Sequence, residues 1–184
     1  KLNKEGQPSD PGHEAESAIM AKAILTRLGY NKSFVHLVTW LVAQHMRFAP
    51  MLLTGERTLL RWVRSEAAHS GFRTQAELTQ AYSLLVEVFL ADMGATHARE
   101  NEQLMAEGRL LGRQVVELVR TRMPVCSKDL AVGGRELLEL IPHAEIKNIL
   151  TYLLERVQSG NLPNEKEALL TCLLYTSPSP RDTR

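Results

Sequence analysis

The chain has 184 residues, 44% of them hydrophobic, and a formal net charge of +1. That is enough apolar material for one domain or two small ones. The near-neutral balance excludes a global field that would gather nucleic acid, so any RNA contact must rest on a local patch, and the longest apolar runs are too short to span a bilayer.

Apolar residues recur at helical spacing almost throughout and β-branched clusters are sparse, which predicts an all-α fold. The expected architecture is an irregular helical bundle followed by a smaller helical region. The chain opens on Lys1 within a polar run to Pro11, and a start further upstream is expected. A first helix is predicted from about Glu14 to Leu28, with Ile19, Ala23 and Leu28 on its inner side and Gly29 ending it. Asn31 caps the next, whose Phe34, Val35, Val38, Leu41, Val42 and His45 trace an i, i+3, i+4 stripe. Phe48 to Gly55 reads as a loop because of Pro50 and Gly55. Helices are then expected from about Glu56 to His69, Thr74 to Met93 and Ala98 to Arg122. Trp40, Trp62, Tyr82 and Phe89 fall in apolar stripes and read as core, not as base-stacking platforms.

Pro124 marks the clearest internal boundary, giving an expected first region 1–123 and a second, 124–171. Gly133 and Gly134 permit a tight or left-handed turn before a short helix. A longer helix follows from about Pro142 to Gln158, with Ile146, Ile149, Leu150, Leu153, Leu154 and Val157 on one face. Asn164, three positions before Glu167, has the pattern of a capping box for a last helix. From Cys172 to Asp182 the text resembles the translation of a transposon-based sequencing-library adapter, so residues 172–184 are expected to be non-native. Without them, basic and acidic side chains balance. Cys126 is then the one native cysteine, which excludes an internal disulfide and points to a reducing cytoplasm.

Candidate chemistry centres on His13, His45 and Asp92, since imidazoles and carboxylates are the usual ligands for a divalent metal that activates water. Three phrases, Pro11-Gly-His13-Glu-Ala-Glu, Leu41-Val-Ala-Gln-His45-Met and Leu90-Ala-Asp92, resemble the later motifs of the HD superfamily. In that family His and Asp side chains on helices gather around one or two metals. Its first His and its His-Asp pair would lie upstream of Lys1, so the chain by itself is expected not to hydrolyse phosphoesters.

The more specific resemblance is to the tRNA nucleotidyltransferase family of bacterial CCA-adding enzymes and poly(A) polymerases, some of which carry an HD-like region after the catalytic head. Gly12-His13-Glu14, Ile24-Leu-Thr-Arg-Leu28, Leu37-Val38 and His45-Met46 resemble that region. Leu130-Ala-Val-Gly-Gly-Arg-Glu-Leu-Leu138, Ile146-Lys-Asn-Ile-Leu150 and Val157-Gln-Ser-Gly-Asn-Leu-Pro-Asn-Glu-Lys-Glu-Ala-Leu169 resemble the family's C-terminal region in order and spacing. The chain departs from the family at Leu140-Ile-Pro-His-Ala-Glu-Ile146, where a Gly-rich phrase is usual, and this weakens any backbone contact those glycines would allow. The resemblance implies the part of the enzyme that grips tRNA, with Mg²⁺ acting in a catalytic head outside this chain.

Two arginine rows give physical support for RNA contact. Arg57, Arg61 and Arg64 fall at i, i+4, i+7 on one helix face, and Arg109, Arg113 and Arg120 form a looser row. Such rows track phosphates by charge-assisted contacts without reading bases. Glu56 and Glu66 beside the first, and Glu107 and Glu117 beside the second, are expected to offset them in part. The alternative function is the C-terminal part of an HD-type metal-dependent phosphohydrolase, for which the phrase from Leu130 to Leu169 has no evident use.

Overall fold

The structure, a computed structural model, describes residues 12–97 and 102–176. It is all-α: among the described residues there are eight α-helices and no strand. They are α1 (His13–Arg27), α2 (Lys32–Met51), α3 (Glu56–His69), α4 (Gln75–His97), α5 (Glu102–Arg122), α6 (Gly134–Leu138), α7 (Ile146–Gln158) and α8 (Lys166–Thr176). Of the helix expected from Ala98, the first four residues lie outside the described residues. No described helix is long and apolar enough to cross a membrane.

The chain forms two compact units. The first comprises Lys1–Thr58 and Gln80–Gln114, the second Leu59–Thr79 and Val115–Arg184. Pro124 therefore falls inside the second unit.

In the first unit, α1 and α2 pack along one another as a helical hairpin. Gly29 takes a φ of +80° and so reverses the chain at no steric cost. The Asn31 side chain then accepts a hydrogen bond of 2.9 Å from the Phe34 N–H, as its position before the helix led us to expect. The inner face of α1 differs from the expected one. Ala18 is buried with Ser17, Ala21 and Leu25 half-buried, whereas Ile19, Ala23 and Leu28 are exposed. Both faces of α1 satisfy a helical apolar spacing, and the face with the small Ala18 and Ala21 side chains is the one that lets α2 approach closely.

On α2 the buried line is Trp40, Gln44 and Phe48, one residue per turn, flanked by half-buried Val38, Leu41, Val42 and His45. Trp40 meets Tyr82 edge-on at 5.3 Å between ring centroids, and Phe48 meets Phe89 at 5.0 Å. The helix does not stop at Phe48 but runs through Pro50 to Met51. Proline in a last turn forfeits a single donor, and the chain leaves the helix through i to i+3 bonds from Leu52 to Ala49 and from Leu53 to Pro50. Against Phe89 and Val86 of α4 lie Gly108 and Gly112 of α5. A methyl group added at Gly112 would sit 2.7 Å from both Val86 γ carbons.

The core of the second unit includes Leu130, Val132, Leu137, Leu153, Val157, Leu169 and Leu173. Each fully buried side chain of this size contributes about 1.5–3 kcal/mol. The apolar face expected on α7 is present, but Pro142 does not open that helix. Residues 143–145 form a separate 3₁₀ turn, with the Glu145 N–H bonded to the Pro142 carbonyl at 3.0 Å. Neither Gly133 nor Gly134 is left-handed. Gly133 is extended and precedes α6 as its N-cap, its N–H bonded to the Glu136 carboxylate at 3.1 Å. The adapter-like stretch continues α8 to Thr176 and supplies Leu173 to the core, one turn beyond Leu169. Residues 177–184 lie outside the described residues.

Candidate nucleic-acid interface and the histidine pair

Arg57 and Arg61 project to solvent from α3, one turn apart, and Arg109 and Arg113 do the same from α5. Among the described residues none of the four has a hydrogen-bonded or ion-paired partner. Among the described residues their acidic neighbours form no ion pair with them, although Glu56 is exposed beside Arg57. Glu66 is turned into the core at 8% exposure, and Glu107 accepts a 3.0 Å hydrogen bond from Gln103. Glu117 is engaged by Arg120 through both carboxylate oxygens at 2.8–3.0 Å. Arg120 is thereby withdrawn from its row, while Arg57, Arg61, Arg109 and Arg113 keep their donors available to phosphate oxygens.

Arg64 behaves differently from Arg57 and Arg61. Its guanidinium lies against the backbone of Gly160, where a Cβ would collide with it, and its Nε is buried without a hydrogen bond among the described residues. Gly160 has a φ of +78°, which by itself favours glycine there, and a side chain would in addition have to push the Arg64 guanidinium aside. Arg64 thus serves packing at the end of α7, and Gly160 gave no signal of this in the sequence.

His13 and His45 meet with ring centroids 5.4 Å apart and planes inclined at 67°. The His45 Nδ1 lies 2.7 Å from the Val42 carbonyl, so Nδ1 carries a proton and donates it there. His13 Nδ1 lies 3.7 Å from the Glu14 carboxylate. Asp92 is exposed on α4, and among the described residues no group of three His, Cys, Asp or Glu side chains is placed to hold a metal ion. Two imidazoles fall short of the three or four protein donors that such a site needs, so the described residues do not by themselves fit a metal.

The side chains that order the second unit's loops were not foreseen. Asp129 Oδ2 accepts hydrogen bonds from the backbone N–H groups of Val125 (3.0 Å), Cys126 (3.0 Å) and Gln75 (3.2 Å). Asn164 does not cap α8. Its Nδ2 donates to the Asp129 carbonyl at 2.9 Å and its Oδ1 accepts from the Ala131 N–H at 2.9 Å. Gln158 Nε2 reaches the carbonyls of Ala67, Pro124 and Val125 at 3.1–3.4 Å. The carboxyl of Glu136 is held below its ordinary value of 4.5 by hydrogen bonds from its own backbone N–H and that of Gly133, with Lys166 adding a smaller effect. The expected core aromatics Trp40, Trp62, Tyr82 and Phe89 are all buried. An exposed aromatic pair that the sequence did not suggest, Tyr30 and Phe34, stacks at 4.8 Å beside the α1–α2 turn.

No protein-family model, curated protein or solved structure matches the chain.

Proposed function

We propose that the chain is the RNA-gripping, non-catalytic part of a nucleotidyltransferase that adds CCA or A to the 3′ end of tRNA. The observation that carries the reading is the set of exposed guanidinium groups at Arg57, Arg61, Arg109 and Arg113, which no carboxylate among the described residues engages. Unengaged guanidinium groups are suited to phosphate contact, and a folded RNA is gripped chiefly by its backbone and shape. The order and spacing of the phrases from Leu130 to Leu169 add to this, and Asn164 ties the last of them to the first at the Ala131 N–H. Nucleotide addition itself, and the Mg²⁺ it uses, belong in this proposal to a catalytic head outside the chain.

The test is equilibrium binding of fluorescently labelled tRNA at 50 and 200 mM salt, with double-stranded DNA as competitor. The proposal expects binding that weakens steeply with salt and that tRNA displaces more readily than duplex DNA does. Absence of binding at 50 mM salt would overturn it.

The contact between His13 and His45 favours a second reading, the C-terminal part of an HD-type metal-dependent phosphohydrolase. Mn²⁺-dependent phosphatase activity in a longer chain that includes a His-Asp pair, abolished by His45→Ala, is the outcome that would place it first.

A further inference from the structure

The outward side of α1 carries Ile19, Met20, Ile24 and Leu28 at 71, 62, 43 and 62% exposure. Single exposed apolar residues are ordinary, but a contiguous run along one helix marks a contact surface.

The order of residues on this face is symmetric. Glu16, Met20, Ala23 and Arg27 form its central line at spacings of four, three and four, and all four are exposed. The midpoint between Glu16 and Arg27 coincides with that between Met20 and Ala23, and with that between the flanking Ile19 and Ile24. A second α1 laid antiparallel across this point sets Glu16 of each copy beside Arg27 of the other and Met20 beside Ala23, which is the self-complementarity a two-fold interface requires. A parallel arrangement instead opposes like charges at both ends. Neither Glu16 nor Arg27 has a partner among the described residues.

We infer that the outer face of α1 docks antiparallel onto the same face of a second copy of this chain. The paired length, Glu16 to Arg27, is about 18 Å at 1.5 Å per residue. This is small beside the roughly 800 Å² per partner of a standard interface, so the dimer forms in the micromolar range.

The test is sedimentation velocity on the full chain over a concentration series, with helicity checked by circular dichroism. The expected result is a monomer–dimer equilibrium weakened about tenfold by Glu16→Lys or Arg27→Glu alone, since each turns two exposed attractions into repulsions. The double variant E16K/R27E restores the wild-type value to within about threefold, while Met20→Glu abolishes association. A monomer at all concentrations overturns the inference. So does association indifferent to the single reversals or not rescued by the double, which would mark the face as one that a different segment or partner covers.

Discussion

The side chain of Asn164 is bonded at both ends to the loop that begins at Asp129, 35 residues earlier in the chain, donating to the Asp129 carbonyl and accepting from the Ala131 N–H. Asp129 in turn gathers three backbone N–H groups with one carboxylate oxygen, including that of Gln75 at the start of α4. The two residues together hold the Leu130 phrase against α8. Replacing Asn164 by Ala leaves a donor and an acceptor without protein partners, and is expected to cost about 1–2 kcal/mol in urea denaturation. Asn164→Asp retains the acceptor and costs less. Faster amide hydrogen exchange at Ala131 in the Ala variant checks that the loss is local.

Glycines of α4 and α5 make a paired prediction. In an open helix position Gly→Ala stabilises by about 1 kcal/mol, and Gly94, whose added methyl would find only Met105 Cε at 3.9 Å, should show most of that gain. Gly112→Ala must instead displace the branched Val86, which has no flexible end to give way, and is expected to destabilise by about 1–3 kcal/mol. Gly108→Ala meets the Phe89 ring and should behave likewise. Opposite signs of the shift in melting temperature for Gly94→Ala and Gly112→Ala are the outcome to look for.

The helices were legible because their apolar periodicity is strong, and α4 shows why: Leu78, Ala81, Tyr82, Leu85, Val86 and Phe89 keep one stripe for three turns, and all are buried. α1 was less legible in orientation, since it offers two apolar faces and only the presence of α2 selects Ala18 and Ala21. The second unit draws in Leu59–Thr79, and the bonds that do so, Gln75 to Val119 and Asp129, join residues whose spacing has no local signature. The same holds for the candidate site. Spacing placed Arg57, Arg61 and Arg64 on one face, but the withdrawal of Arg64 onto Gly160 depends on a contact 96 positions away. His13 and His45 do meet, whereas the third expected ligand, Asp92, is not grouped with them among the described residues.

Glu136 supplies a pH dependence. Its folded-state carboxyl lies below the ordinary value of 4.5, so the stability it adds is fully present above 4.5 and is lost as the pH falls through its lowered value. Glu136→Gln should therefore lower the urea midpoint at neutral pH, with the difference from wild type shrinking below pH 4.5. A difference that stayed constant into that acid range would mean that the carboxylate charge is not what caps α6.

The most direct test of the RNA-gripping proposal compares charge reversals at arginines that the structure treats differently. Arg57→Glu combined with Arg61→Glu removes two unengaged guanidinium groups, and Arg120→Glu removes one already held by Glu117. With labelled tRNA titrated across a salt series, the account predicts that the first variant weakens binding at least about tenfold and reduces the slope of log affinity against log salt by about 1–2. Arg120→Glu should leave the slope nearly unchanged. Equal effects of the two variants, or a wild-type affinity independent of salt, would contradict it.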